Sequence, residues 1–149
     1  MDTRSGFLIS QIRQVQGRVF QRLLQDCGIE AFNGAQGRIL YVLWQEDGIP
    51  IAVLVKKIGL AKNTLTSMLA RMEETGLILR RPDTRDRRQT LICLTDNART
   101  LKEPYDRVSQ QMNELFFQNF TMDEVEELER LLGKVLANLE DCETRQRKG

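Results

Sequence analysis

Two short apolar runs separated by an arginine-rich segment constrain the fold of this chain most strongly. The runs are residues 77–79 and 91–94, and residues 80–88 between them read Arg-Arg-Pro-Asp-Thr-Arg-Asp-Arg-Arg. Pro and Asp within this segment are typical turn residues, whereas Ile78 and Ile92 are β-branched and favour strands. The pattern therefore predicts a β-hairpin whose tip carries five arginines and two aspartates.

The hairpin tip is a candidate nucleic-acid contact because a guanidinium stays charged and suits both phosphate oxygens and base edges. A solvated charged turn is the alternative interpretation. The formal charge of the whole chain is +1, but it is unevenly distributed: 0 in residues 1–55, +5 in 56–88 and −4 in 89–149. This distribution indicates one local surface for a polyanion rather than a generally basic protein.

Several functional classes lose support from the composition. The chain contains no histidine, its three cysteines form no C-x-x-C pair, and no glycine-rich phosphate-binding loop is present. Since histidine is the commonest general base and metal ligand, we expect no enzyme, no metal site and no cofactor. The longest uninterrupted apolar run, Ile39 to Trp44, is far shorter than a membrane span. We therefore expect one soluble, cytoplasmic folding unit without a membrane partner.

Apolar residues before the hairpin recur with helical spacing. The first stripe, Leu8 to Leu23, predicts a helix that ends near Gly28. Asn33 and Gln36 form a capping-box-like start for a second helix, which Asp47-Gly48 ends. A short strand at 49–51 and a third helix ending at Gly59 follow. A fourth helix is predicted from Lys62 to Thr75, with Leu65, Leu69 and Met72 facing inward.

Two further helices are predicted after the hairpin. Thr95 is a suitable N-cap for a long helix, in which Pro104 predicts a kink between residues 100 and 104. The last helix begins with the capping box Thr121 to Glu124, and its polar end, 140–149, is expected to fray.

Two short helices, a tight turn and a hairpin together predict a winged helix-turn-helix. In that motif the second helix enters the major groove, and the residues near its start face base edges. Asparagine pairs with adenine, lysine favours guanine, and threonine and serine reach bases or phosphates. Any soluble helix also begins with exposed polar residues, which is the alternative interpretation. The candidate base-contacting residues are Lys62, Asn63, Thr64, Thr66 and Ser67.

The combination of these features resembles the MarR family of winged helix-turn-helix transcription regulators. The Asp-x-Arg of the hairpin, followed a few residues later by Leu-Thr, is the most specific part of the resemblance. Ala98 departs from the pattern, because glycine is frequent at that position. The matching residues are Leu54, Leu65-Thr66, Leu69, Gly76-Leu77, Arg80, Asp86-Arg87-Arg88 and Leu94-Thr95.

The resemblance implies a mainly α fold, in which a winged helix-turn-helix is combined with a helical dimerisation domain formed by the N- and C-terminal helices. Residues 1–149 would form one MarR-type domain, with the winged lobe at 32–98 and dimerisation helices at 1–31 and 99–149. A homodimer would read an inverted repeat in double-stranded DNA. Arg88 would enter the minor groove, while Asp86 would hold an arginine in place, with Arg80 as the candidate. Arg85 and Arg87 would complete the DNA contacts.

The apolar stripes on the first helix and the last two helices have two interpretations. They either close a monomeric bundle or are buried between subunits. Because large apolar patches are rare on monomers, we favour the dimer.

One branch of the family senses peroxide through a cysteine near the start of the first helix. Residues 7–10 of this chain lack cysteine. We therefore expect no redox sensor, and we predict that Cys27 and Cys93 are buried structural thiols.

The resemblance also implies a pocket between the dimerisation and DNA-binding parts, where relatives bind small aromatic acids. Candidates for lining such a pocket, for a small aromatic or anionic effector, are Phe20, Tyr41, Trp44 and Phe116. Their alternative role is ordinary core packing. Together, the motifs and the resemblance imply a homodimeric repressor of palindromic operators that a small effector releases. A winged-helix protein-interaction module that does not select DNA sequence is the alternative.

Overall fold

The computed structural model describes residues 1–149 and is mainly α, as predicted, with a small antiparallel sheet. By contacts the chain forms two compact units, Met1–Met112 and Asn113–Gly149. None of the helices combines the length and the apolar composition that crossing a bilayer requires. The elements are α1 (Ser5–Asp26), α2 (Gly34–Gln45), β1 (Ile49–Pro50), α3 (Ile51–Ile58), α4 (Lys62–Glu74), β2 (Ile78–Pro82), β3 (Thr90–Leu94), α5 (Asp96–Thr100), α6 (Lys102–Phe116) and α7 (Met122–Lys148).

The core of the N-terminal unit lies among α2, α3, α4 and the sheet, whose strand order is β1-β3-β2. The inward stripe predicted for the fourth helix is confirmed, since Leu65, Leu69 and Met72 have no exposed surface. At Gly37 in α2, an added Cβ would lie 2.8 Å from the Tyr105 ring. Only glycine therefore lets α2 approach α6 this closely. The core residues are Leu24, Ile29, Phe32, Ile39, Leu40, Leu43, Ile49, Leu54, Leu65, Leu69, Met72, Leu77, Ile78, Ile92, Leu94, Ala98, Tyr105 and Val108.

The predicted helix starts are confirmed by their hydrogen bonds. At α2 the Asn33 side chain accepts from the Gln36 N–H at 2.8 Å, and the Gln36 side chain accepts from the Asn33 N–H at 3.2 Å. Thr121 and Glu124 make the same reciprocal pair at α7. Such caps satisfy amides that lack a partner in the first turn, and each contributes about 1 kcal/mol.

The predicted kink after Thr95 is a complete break. Helix α5 ends at Thr100 and α6 begins at Lys102. Proline has no N–H to donate to the carbonyl four residues earlier, so Pro104 is accommodated in the first turn of a new helix. At the end of α5 the Thr100 hydroxyl donates to the Asn97 carbonyl, at 2.6 Å.

Several predicted boundaries differ from the structure. The prediction that residues 140–149 fray is wrong, because α7 continues to Lys148. Its last turns are stabilised by an ion pair between Arg147 and Glu143, at 2.8 Å, and by basic side chains at the negative end of the helix dipole. The strand predicted at 49–51 ends at Pro50, and Ile51 begins α3. The hairpin strands extend to Pro82 and Thr90, so two of the tip arginines lie in a strand.

The prediction that both Cys27 and Cys93 are buried is wrong for Cys27. Cys93 is buried in β3, but Cys27 is exposed because it is the C-cap residue of α1, where the chain turns. Burial, and secondly the negative charge of Asp47, raise the pKa of the Cys93 thiol. Since the thiolate is the reactive form, Cys93 is both shielded and less ionised.

We expect the Cys93 thiol to be the slowest of the three to react with a disulfide reagent such as Ellman's reagent at pH 8, by about tenfold or more relative to Cys27. The measurement follows release of thionitrobenzoate from the folded protein and from a C27S/C142S variant, in which Cys93 is the single thiol. The denatured C27S/C142S variant is the control and should react rapidly. Equal rates for this variant in its folded and denatured states would contradict the prediction.

Candidate nucleic-acid interface

The helix-turn-helix is formed by α3 and α4. Gly59 ends α3 in the left-handed region, with φ of 77°, which glycine adopts without steric cost. Leu54 of α3 and Leu65 of α4 are both fully buried in the same core, so the two helices are held together by apolar packing. The polar residues at the start of α4 are all exposed: Lys62, Asn63, Thr64, Thr66 and Ser67.

The N-terminus of α4 is suited to an anionic partner. Its N-cap residue, Ala61, makes no side-chain capping bond, and the first turn contains no acidic side chain. The first α4 amide bonded within the helix backbone is that of Leu65, which donates to the Ala61 carbonyl at 3.0 Å. Helix N-termini carry a partial positive charge and amides that favour phosphate, and Lys62 adds a full charge at the same end.

The Thr66 hydroxyl donates a hydrogen bond to the Lys62 carbonyl at 2.8 Å. This bond uses the only hydrogen-bond donor of the Thr66 side chain and leaves the oxygen lone pairs and the methyl group available. Two of the predicted roles of Thr66 therefore remain: accepting a hydrogen bond from a base amino group, or contacting a thymine methyl group.

The tip of the hairpin is a structured loop over residues 83–89. Two backbone bonds close it, from the Asp83 N–H to the Gln89 carbonyl at 3.1 Å and from the Gln89 N–H to the Asp86 carbonyl at 3.0 Å. The two aspartate side chains accept from backbone amides, Asp83 from Arg85 at 2.8 Å and Asp86 from Arg88 at 3.1 Å. The aspartates thus shape the loop, while the side chains of Arg85, Arg87 and Arg88 remain exposed.

The prediction that Asp86 holds Arg80 in place is wrong. Asp86 Oδ1 accepts from Arg88 Nε at 3.3 Å, whereas Arg80 Nε donates to Glu73 Oε2 of α4 at 2.9 Å. The reason is strand alternation, since Arg80 lies on the same face of β2 as the core residue Ile78 and thereby meets α4. Glu73 was not among the residues predicted for the site. Its ion pair with Arg80 ties the hairpin to α4, the helix that carries the candidate base contacts. No spacing motif in the sequence indicates this pair.

The four aromatic residues proposed for an effector pocket do not form one group. The rings of Phe20, Tyr41 and Trp44 surround Tyr105, with centroid distances of 5.7, 6.4 and 5.0 Å. Trp44 Nε1 also donates to the Ala98 carbonyl at 3.0 Å. Phe116 lies in the C-terminal unit, where its ring contacts Phe117 at 4.9 Å. Three of the four residues are thus packed against one buried tyrosine, and burial raises the pKa of its phenol.

The apolar stripes of α1 and α7 are not covered within the chain. Helix α7 has no buried residue in its 27 positions. On α1 the exposed large apolar side chains are Phe7, Leu8, Ile9, Ile12 and Val15, at 41–63% exposure, and on α7 they are Met122, Leu131, Leu132, Val135, Leu136 and Leu139, at 40–73%. Such surfaces are typical of subunit contacts rather than of a closed monomeric bundle.

Comparisons with known proteins match this architecture. The MarR family model matches residues 32–90. The transcriptional regulator MgrA of Staphylococcus aureus is 34% identical over 98 residues, which are 66% of this chain and 65% of MgrA. The regulator TtmR of Methylorubrum extorquens is 32% identical over 106 residues, which are 71% of this chain and 53% of TtmR. The chain thus spans between about half and two thirds of these curated relatives.

Among solved structures, a mutant of MarR from E. coli, complexed with operator DNA, has a TM-score of 0.81 and 29% sequence identity to this chain. The match covers 91% of this chain and 99% of that one. A MarR transcriptional regulator from Methanosarcina mazei, at 21% identity and a TM-score of 0.79, shares the fold. That match covers 92% of this chain and 96% of the other.

Proposed function

Since the chain belongs to the MarR family, we propose that it is a sequence-specific DNA-binding transcription regulator. One observation carries the proposal: the start of α4 is exposed and uncapped, and the Arg80–Glu73 ion pair ties the arginine-rich hairpin to the other end of the same helix. A helix of this kind supplies base contacts and a hairpin of this kind supplies backbone contacts. Support also comes from the E. coli MarR mutant, a similar structure that was solved in complex with operator DNA.

In this proposal α4 lies in the major groove. Asn63 and Lys62 contact base edges, Thr64 and Ser67 contact bases or phosphates, and Thr66 contacts a base. Arg85 and Arg87 contact phosphates beside the groove. Arg88 leaves Asp86 to enter the minor groove, which is favourable where A·T pairs narrow that groove. The role of Asp86 is to shape the loop through the backbone of Arg88.

We propose that the active form is a cytoplasmic homodimer that binds an inverted repeat. The proposal is supported by the uncovered apolar side chains of α1 and α7, which a second copy would bury. Two winged lobes related by a two-fold axis would then face two half-sites, and operator symmetry would mirror protein symmetry.

The regulator is further proposed to be a repressor that a small aromatic or anionic effector releases. The aromatic residues around Tyr105 are the candidate contacts, because Tyr41 is 48% exposed there while its neighbours are partly buried. Phe116 is not part of this ring group, which centres on Tyr105 in the N-terminal unit.

Selection of bound sites from a random pool of duplex DNA tests the function directly. A regulator should enrich an inverted repeat. A winged-helix protein-interaction module would bind the pool without enrichment, and that outcome would replace the proposed function with the alternative.

We expect Asn63→Ala to weaken binding to the selected site by roughly 1–3 kcal/mol and to relax selectivity at one base position per half-site. The reason is the loss of a bidentate contact to one base, while phosphate contacts persist. Competition binding with single-base variants of the site measures both effects. Asn97→Ala, at an exposed asparagine of α5, is the matched control. Unchanged base selectivity in the Asn63 variant would contradict the assignment.

A further inference from the structure

Asp47 occupies the junction where the hairpin returns to the helices. It lies between α2 and β1, and 35% of its side-chain surface is exposed. Its Oδ1 accepts from the Leu94 N–H at 2.8 Å, and its Oδ2 accepts from Arg99 Nη2 at 2.9 Å. One carboxylate thus joins the end of α2 to two elements that follow about fifty residues later in the sequence.

The bond to Leu94 extends the sheet by one hydrogen bond. Leu94 is the last residue of β3 and pairs with Ile78 of β2 on one side. On its other side β1 pairs with β3 only at Ile49 and Pro50. The Asp47 carboxylate therefore takes the place of a further β1 residue at the end of β3, where an unpaired amide would otherwise be costly.

The second oxygen connects the same point to α5. Arg99 bridges Asp47 and Asp96, the latter at 2.6 Å. The hydrogen bond that Arg99 donates to Asp47 is the main cause that raises the pKa of the Arg99 guanidinium. On the opposite side of the junction the Thr95 hydroxyl donates to the Gly76 carbonyl at 2.6 Å. Gly76 directly follows the recognition helix α4 and the turn residue Thr75. The end of β3 is therefore held from both sides.

The junction lies at the base of the hairpin, so a small rotation there would be amplified at the arginine loop. The five residues of β3 span about 15 Å at the usual rise per residue, so a rotation of about 10° at Leu94 would move the tip by roughly 3 Å. A shift of that size exceeds the tolerance of a hydrogen bond.

We propose that Asp47 is a positioning residue that fixes β3 to α5, so that the hairpin and α4 meet DNA as one rigid surface. The inference rests on the proposed DNA-binding function. Asp47 itself makes no contact with DNA in this arrangement, and its effect passes through the backbone of Leu94.

The test combines amide exchange without DNA and binding to the selected duplex. In Asp47→Ala, and to a smaller degree in Asp47→Asn, the amides of residues 90–94 should exchange about tenfold faster, while those of α4 remain protected. Asp47→Asn and Arg99→Gln should each lower the affinity for the selected duplex about fivefold, after correction for the fraction of protein that is folded, and should retain base selectivity. Arg99→Lys keeps the charge but lacks the fork that holds Asp47 and Asp96 together, so its binding should lie between that of Arg99→Gln and that of the natural protein.

A double-mutant cycle separates this role from general destabilisation. Because Arg99 acts on β3 only through Asp47, Asp47→Asn/Arg99→Gln should bind no more weakly than the worse single variant. Glu127→Gln, which removes an exposed ion pair of α7, is the matched control and should change neither exchange nor binding.

The outcomes distinguish the two proposals. If the natural protein selects no duplex, the proposed function fails, and the use of the junction for DNA binding fails with it. If the natural protein binds but Asp47→Asn and Arg99→Gln bind equally well, only the inference about Asp47 is overturned. Unchanged protection of residues 90–94 in both Asp47 variants would overturn it independently of DNA.

Discussion

Truncation after Phe120 is expected to convert the protein into a folded monomer whose affinity for an inverted repeat falls by about 10²- to 10⁴-fold. The truncation removes α7, which has no buried residue, and every buried residue of the chain lies at or before Met112. The N-terminal unit should therefore keep its fold. Affinity falls because each lobe then binds its half-site independently, without the high effective concentration that a dimer provides.

Sedimentation velocity and binding to full and half sites measure these effects. Leu132→Asp/Leu139→Asp tests the same surface without a deletion, because a charge on an apolar subunit contact is costly to bury. Lys134→Gln, at an exposed polar position of the same helix, is the control and should remain dimeric. A truncated chain that sediments as a monomer and retains full affinity for the inverted repeat would refute the dimer proposal.

Arg87→Ala/Arg88→Ala is expected to have the second largest effect. Arg87 and Arg88 are exposed on the loop. Affinity falls as salt rises, and loss of one phosphate contact makes the slope of log affinity against log salt shallower by about 0.9. A dimer that loses the Arg87 phosphate contact in both subunits should therefore have a slope shallower by roughly 2 and should bind specific and scrambled duplexes more weakly. Arg88→Ala alone should lose most affinity where the flanking sequence is A·T-rich.

Salt titrations on the selected duplex and on a scrambled duplex measure the change. Arg145→Ala, at an exposed arginine near the end of α7, is the matched control because it lies outside the proposed interface. The contrast with Asn63→Ala is informative, since that variant should change base selectivity and leave the salt slope nearly intact. If the double variant keeps its affinity and its salt slope, the hairpin is only a solvated charged turn.

Features that depend on neighbours along the chain could be predicted from the residues alone. Asn33 and Gln36 indicated the start of α2, Thr121 and Glu124 the start of α7, and Pro104 the break before α6. These features are local because capping bonds and the missing proline N–H act within one turn of helix. Helical spacing likewise identified the buried face of α4, since that face repeats every three to four residues.

Contacts between distant side chains, in contrast, depend on how the helices and strands pack. Arg80 pairs with Glu73 rather than Asp86, and Asp47 joins Leu94 to Arg99. The rings of Phe20, Tyr41 and Trp44 converge on Tyr105, whereas that of Phe116 contacts Phe117, and Cys27 is exposed where the chain turns after α1. Residue types and their spacing along the chain indicate which groups are able to interact. Packing sets the distances between them, and hydrogen bonds and ion pairs act over only a few ångströms.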